Sequence, residues 1–241
     1  MLGLAGKRET VVHRGAEASS GRLLLDLPRA RWVHLATHGF FADKRFRSAL
    51  QLDESDYKGR LDRVRGYRER IGAGARNPLV LSGLVLAGAN LPERDDGIVT
   101  AEALADLRLR NLDLAVLSAC ETGLGDVAGG EGVFGLQRAF HLAGARNVAA
   151  TLWKVDDTAT AALMALFYRK LWEEGKPAPQ ALKEAQLALY RNPESIPALA
   201  KARGPDFDKE VRRIEEAAKP AARERAGVRQ WASFVVSGVG R

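Results

Sequence analysis

The sequence predicts an α/β protein built around a mainly parallel β-sheet. Five apolar runs are nearly continuous rather than strictly alternating, which is typical of strands covered on both faces. Segments of helical length lie between most of these runs, and alternating strands and helices favour a parallel sheet with right-handed crossovers. The length of 241 residues and the hydrophobic content of 46% are sufficient for a packed globular domain.

The predicted strands are these five apolar runs. In chain order they are Trp32–Thr37, Leu79–Ala87, Leu112–Ser118, Asn147–Leu152 and Trp231–Ser237. The stretch Ala42–Asn77 fits this pattern least, because it is charged, dotted with glycines and too long for an ordinary connection. We therefore expect it to be an insertion between the first two strands.

Helices are predicted where apolar residues recur at helical spacing between capping signals. The predicted helices are Thr100–Asp106, Gly132–Ala143, Asp157–Glu174, Ala178–Tyr190 and Asp206–Ala218. Thr100 is a candidate N-cap for the first and Gly144 a candidate C-cap for the second. The last segment is highly charged, so we expect an exposed helix.

Composition excludes several classes of protein. A single cysteine cannot form an internal disulfide or a Cys-rich zinc cage. No apolar run approaches the roughly 18–20 residues that a membrane-spanning helix needs. The first twenty residues are polar and do not form a secretory signal. We therefore expect a soluble, cytoplasmic protein that requires no metal ion or organic cofactor.

The net charge of +7 comes largely from the stretch Tyr57–Arg76 within the predicted insertion. A basic stripe with interleaved tyrosines is one way to contact nucleic acid. No nucleic-acid-binding module surrounds it, so a solvated insertion is the simpler interpretation. We do not expect nucleic acid to be a direct ligand.

The candidate catalytic residues follow two of the predicted strands. His38 and Gly39 come after Trp32–Thr37, and Cys120 comes after Leu112–Ser118. Groups just past the carboxyl ends of parallel strands line the ligand crevice of an α/β sheet. An imidazole beside a thiol is an arrangement for nucleophilic catalysis, and backbone N–H groups of Gly39 and Cys120 would stabilise an oxyanion. Gly39 would also permit a sharp turn. The alternative for Cys120 is a small buried apolar residue.

Other candidate residues have weaker patterns. His34 lies within the first strand and shares a face with His38 by strand parity, but a structural role is the simpler interpretation. The glycines between Gly123 and Gly132 lack the spacing of a phosphate-binding or dinucleotide-binding loop, so they are better explained as a mobile loop beside the nucleophile. Accordingly, no fingerprint supports a flavodoxin-type small-molecule binder. Asp126 and Glu131 would either shape the substrate groove or be exposed loop acids.

Five ordered blocks of sequence resemble the CHAT domain, a family in the caspase/separase/gingipain-like clan of cysteine peptidases. The blocks are Val33–Phe41, Asn77–Asn90, Leu114–Asp126, Gly129–Thr160 and Trp231–Gly238. The resemblance implies a single domain over residues 1–241 with a caspase-like three-layer α/β/α sandwich. It also implies a catalytic dyad of His38 and Cys120, a protein or peptide substrate and a role in bacterial regulation.

The segment LWKVDD at Leu152–Asp157 is similar to the separase stretch in which an acidic residue lines the pocket for an arginine. The resemblance implies a substrate pocket in which Asp157 is the best-matched acid, with Asp156 beside it, and Asp126 of the glycine-rich loop is the third candidate for this pocket. A carboxylate at the base of a pocket pairs well with a guanidinium, so a basic residue before the cut is the expected preference. The alternative is that Asp157 is the N-cap of the helix that follows.

Two features that the resemblance implies are missing from the sequence: tetratricopeptide-type helical repeats, and further strands and helices ahead of Leu2. We therefore expect a domain without its N-terminal elements, completed by an N-terminal repeat region or a partner chain. Two functions remain open at this point. One is a cysteine endopeptidase, and the other is a non-catalytic CHAT-like scaffold that regulates a partner protein.

Overall fold

The structure is a computed structural model that describes residues 8–41, 79, 82–90, 97–118, 120–121, 131–153, 155–202, 204–216 and 225–240. The strands within these ranges are β1 (Trp32–Leu35), β2 (His38–Phe41), β3 (Ser82–Val85), β4 (Ile98–Thr100), β5 (Leu114–Leu117), β6 (Cys120–Glu121), β7 (Asn147–Thr151) and β8 (Phe234–Gly238). The helices are α1 (Ser20–Asp26), α2 (Ala101–Ala105), α3 (Glu131–Ala143), α4 (Asp157–Trp172), α5 (Ala178–Arg191), α6 (Ile196–Lys201), α7 (Pro205–Glu216) and α8 (Val228–Trp231). The predicted insertion at Ala42–Asn77 lies outside the described residues.

The main sheet has the strand order β1-β5-β7-β8. β1, β5 and β7 run parallel to one another, and β8 closes the sheet antiparallel to β7. Four of the five predicted apolar runs supply these strands, so the prediction of a mainly parallel sheet is confirmed.

Helices cover both faces of the main sheet. On one face Leu114, Val116 and Ala149 pack against apolar residues of α4, α5, α6 and α7. On the other face Ala115, Leu117 and Val148 pack against α2 and α3. Successive residues of a strand point to opposite faces, so burial on both sides explains why the apolar runs do not alternate with polar residues. The predicted three-layer α/β/α arrangement is confirmed.

A second sheet has the order β4-β3-β2-β6 and differs from the prediction for Leu79–Ala87. That run supplies β3, which is antiparallel to both β2 and β4 rather than a strand of the parallel sheet. A run that is buried on both faces does not by itself distinguish parallel from antiparallel pairing. Gly83 within it allows close packing, because a Cβ there would lie 2.5 Å from the carbonyl oxygen of Val99 and 2.7 Å from Cε1 of Phe40.

The helix ends follow the capping signals closely. The Thr100 hydroxyl accepts a hydrogen bond from the Ala103 N–H at 3.2 Å, which confirms the predicted N-cap of α2. Gly144 follows α3 with a φ of 109°, a conformation that favours glycine. The prediction of an exposed helix near Asp206–Ala218 is only half right, because α7 buries an apolar face made of Phe207, Val211 and Ile214.

An ionic cluster lies at the amino ends of the three parallel strands. Asp113, just before β5, forms ion pairs with Arg31, just before β1, and with Arg146, just before β7. The Asp113 side chain is 19% exposed, whereas the side chains of Arg31 and Arg146 are 68% and 60% exposed, so these pairs are largely open to water. The cluster therefore adds modestly to the alignment of the three strands where they enter the sheet.

Candidate functional site

Two neighbouring strands of the main sheet continue into the second sheet. β1 is followed along the chain by β2, and β5 is followed by β6. In both cases two residues separate the first strand from the second. Leu35 pairs with Leu117 before this junction, and His38 pairs with Cys120 after it. The segment of β1 and β2 therefore stays in register with the segment of β5 and β6 across the junction. A hydrogen bond of 2.9 Å from the Ser118 N–H to the Leu35 carbonyl supports this register.

This pairing brings the backbones of the two predicted catalytic residues together. His38 is the first residue of β2 and Cys120 the first of β6, and the two strands are parallel neighbours. Neighbouring strands lie roughly 4.8 Å apart, and paired positions occupy the same face of a sheet. The His38 side chain is exposed, which leaves its imidazole accessible.

Gly39 occupies a different position from the one expected. The chain bends at Thr37, whereas Gly39 is a buried strand residue that pairs with Leu84 on one side and Glu121 on the other. The N–H of a residue inside a sheet lies in the plane of that sheet. The two predicted oxyanion donors thus differ in position, because Gly39 lies between two strands whereas β6, which begins at Cys120, is the last strand of the second sheet among the described residues.

Two of the three acidic residues predicted for the substrate pocket, Asp156 and Asp157, follow the carboxyl end of β7, at the edge of the main sheet where β1 and β5 also end. Asp156 is the N-cap of α4, and its carboxylate accepts a hydrogen bond of 2.8 Å from the Ala159 N–H. Asp157 is the first residue of the helix and is exposed. The N-cap alternative considered for Asp157 is therefore wrong by one position, because the helix begins one residue earlier than that alternative assumed. Asp126 lies outside the described residues.

The model of the CHAT domain family matches residues 2–239 of the chain. The chain belongs to the CHAT family. CHAT domains have a caspase-like fold, and the family includes caspase-like cysteine peptidases. No curated protein matches the chain.

His34 of this CHAT domain does not share the setting of His38. Its Nδ1 is 2.8 Å from the hydroxyl oxygen of Tyr168 on α4, and the two ring centroids are 5.8 Å apart. The parity prediction that placed His34 and His38 on one face does not hold, because the chain bends at Thr37 between them. Burial lowers the pKa of His34 to about 4 and raises the pKa of Tyr168, so both groups are neutral at pH 7.

The other two histidines of the CHAT domain also have local partners. His13 Nε2 lies 2.7 Å from a carboxylate oxygen of Asp26, which joins the N-terminal segment to α1. His141 joins α3 to β8 through Ser237, at 2.8 Å. Across the described ranges, no group of three or more His, Cys, Asp or Glu side chains is placed to hold a metal ion. None of the described helices has the length and apolar character needed to cross a bilayer.

The cap on α4 gives a direct prediction for stability. Asp156→Ala should lower the free energy of unfolding by about 1 kcal/mol, because the Ala159 N–H loses its acceptor. Asp157→Ala should change it by no more than about 0.5 kcal/mol, because an exposed acid in the first turn interacts only with the helix dipole. Urea denaturation followed by circular dichroism measures both, and Asp156→Asn, which keeps a capping oxygen, is the control. Equal losses for the two alanine variants would contradict this assignment of the cap.

The pair of His34 and Tyr168 predicts a loss of stability in mild acid. The folded-state pKa of about 4 lies below the ordinary value of 6.5, so the unfolded chain binds more protons between these pH values. Lowering the pH from 7 to 5 should therefore reduce the free energy of unfolding by about 2 kcal/mol through His34 alone.

A double variant isolates this contribution. His34→Phe with Tyr168→Phe removes both partners of the hydrogen bond and leaves every other titrating group in place. Urea midpoints and slopes measured at both pH values should show a smaller loss in the double variant, by about 2 kcal/mol. The same pH dependence in both proteins would exclude a buried neutral His34.

Proposed function

We propose that this CHAT domain is a cysteine endopeptidase in which His38 and Cys120 form the catalytic dyad. The observation that carries the proposal is the pairing of His38 with Cys120 at the start of two adjacent parallel strands. These are also the histidine and the cysteine of the two motifs that resemble the family's catalytic motifs. The chain has one cysteine, so it offers one candidate thiol nucleophile.

In the proposed reaction His38 accepts the proton of the Cys120 thiol, and the thiolate sulfur attacks the carbonyl carbon of the peptide bond. The N–H group of Cys120 is the proposed donor to the tetrahedral oxyanion, because the N–H of Gly39 lies in the plane of the second sheet between β3 and β6. The C–N bond then breaks, and the departing amine takes the proton from His38. The product of this half-reaction is a thioester between Cys120 and the N-terminal part of the substrate.

Water completes the proposed cycle. His38 accepts a proton from a water molecule as its oxygen attacks the thioester carbonyl carbon. The C–S bond breaks, Cys120 leaves as a thiolate or thiol, and a carboxylic acid is released. Both half-reactions use side-chain and backbone groups alone, so the proposal assigns no role to a metal or organic cofactor.

For the substrate pocket, we propose that Asp157 is the main acidic residue and that the residue before the cut is basic. Asp157 follows β7, the strand beside β5, and so leaves the sheet at the same edge as the segment that leads to Cys120. Its carboxylate is exposed, whereas the carboxylate of Asp156 is engaged in the helix cap. Asp126 is kept as a further proposed pocket residue.

Labelling with a peptide acyloxymethyl ketone tests the dyad. Wild type should be labelled on Cys120 with a stoichiometry of one, and Cys120→Ala should not be labelled. His38→Ala should reduce the labelling rate by a factor of roughly 10² or more, because the thiolate loses its base. Intact-mass spectrometry gives both the stoichiometry and the rate.

Two controls sharpen this experiment. His13→Ala removes a histidine that is bonded to Asp26, away from the dyad, and should leave the labelling rate unchanged. Iodoacetamide at alkaline pH should alkylate wild type and His38→Ala alike, which shows that Cys120 is accessible in both. If the peptide probe labels wild type no faster than His38→Ala, the scaffold function replaces the proposed peptidase.

A panel of fluorogenic peptides tests the proposed preference for a basic residue. Cleavage after Arg should be faster than cleavage after Leu, and Asp157→Asn should reduce the Arg rate by about tenfold because a charged hydrogen bond is lost. Asp156→Asn is the matched control, since asparagine also caps helices and should leave the preference intact. Equal or faster cleavage after Leu in the wild type would rule out the acidic pocket.

A further inference from the structure

Thr37 lies at the junction where the chain leaves the main sheet and enters the second sheet. It is the residue before His38, and it is half-buried. Its hydroxyl donates a hydrogen bond to the backbone carbonyl of Val85, the last residue of β3. Val85 is also the register partner of His38 in the antiparallel pair of β2 and β3. The hydroxyl thus links the bend to the residue that pairs with His38.

The acceptor, the Val85 carbonyl, belongs to a segment that is also held by backbone hydrogen bonds on the side away from β2. The Leu86 N–H donates to the Gly97 carbonyl at 2.7 Å, and the Ala87 N–H donates to the Ala18 carbonyl at 2.9 Å. Val85 itself pairs with Ile98 of β4. Backbone groups of successive strand residues alternate in direction, so the bond from Leu86 toward β4 leaves the Val85 carbonyl directed toward β2. Thr37 therefore bonds to a fixed point of the second sheet.

We propose that Thr37 is a positioning residue that holds the His38 imidazole in place for the Cys120 thiol. The inference rests on the proposed peptidase function and adds a residue to its site. Across the bend the chain stays paired with the segment of β5 and β6, but it gains β3 as a new neighbour. The first residue after the bend therefore also depends on its contacts with β3. The Thr37 hydroxyl supplies one of these contacts one residue before His38, and small displacements of a catalytic group reduce rates strongly.

Nuclear magnetic resonance of the histidine rings tests this role without requiring activity. The chain has four histidines, and the His38 signal is the one that is lost in His38→Ala. Thr37→Val keeps a β-branched side chain but removes the hydroxyl, and it should shift and broaden the His38 ring signal. Thr37→Ser keeps a hydroxyl and should restore the wild-type signal.

Labelling with the peptide probe gives the catalytic readout. Thr37→Val should reduce the second-order labelling rate by about tenfold, and Thr37→Ser should remain within about twofold of wild type. The matched control is Thr100→Val, which removes a hydroxyl that caps α2 at the end of β4. That variant loses a threonine side-chain hydrogen bond at the end of another strand of the second sheet, but it should leave both the His38 signal and the labelling rate unchanged.

The outcomes separate the two proposals. An unlabelled wild type contradicts the peptidase function, and the His38 signal then still decides the role of Thr37. A His38 ring signal in Thr37→Val that matches wild type in position and width overturns the positioning role. So does an unchanged labelling rate of Thr37→Val in a preparation whose wild type is labelled.

Discussion

The register of β1 against β5 is the constraint on which the rest of the structure depends. A slip of one residue in a strand pair moves every side chain to the opposite face, so burial on both faces fixes the register strongly. Leu114 and Val116 face one core, while Ala115 and Leu117 face the other. Asp113 strengthens the same alignment through its ion pairs with Arg31 and Arg146. Because two residues separate β1 from β2 and also β5 from β6, that register sets His38 level with Cys120.

The main sheet was predictable from sequence because burial on both faces leaves a clear apolar pattern. The second sheet was not, since β2 and β6 are short strands that have no periodicity of their own, and β2 also follows a bend at Thr37. The same bend explains why strand parity failed for His34 and His38, as parity holds only along a continuous strand. The positions of His38 and Cys120 could be predicted from strand order, but the pairing that joins them depends on contacts between distant segments.

Supporting residues of the candidate site were the hardest to predict. A hydroxyl that bonds to a carbonyl 48 positions away has no sequence pattern, so Thr37 was indistinguishable from any other polar residue after a strand. For the two aspartates after β7, Asp156 and Asp157, the role itself was predictable, because an acid at this position is expected to cap the helix that follows. The sequence did not show which of the two adjacent aspartates is the cap. Which aspartate caps α4 depends on where the helix begins, and helix boundaries are the least certain part of a sequence pattern.

The two halves of the candidate dyad are held unequally. β2 lies between β3 and β6, so the His38 backbone is supported on both sides, and Thr37 adds a side-chain contact beside it. Among the described strands, β6 has β2 as its single neighbour and is two residues long. The position of Cys120 therefore depends on β2 more than β2 depends on Cys120. It follows that contacts which hold β2, although they lie on the far side from the cysteine, also control the distance between imidazole and thiol.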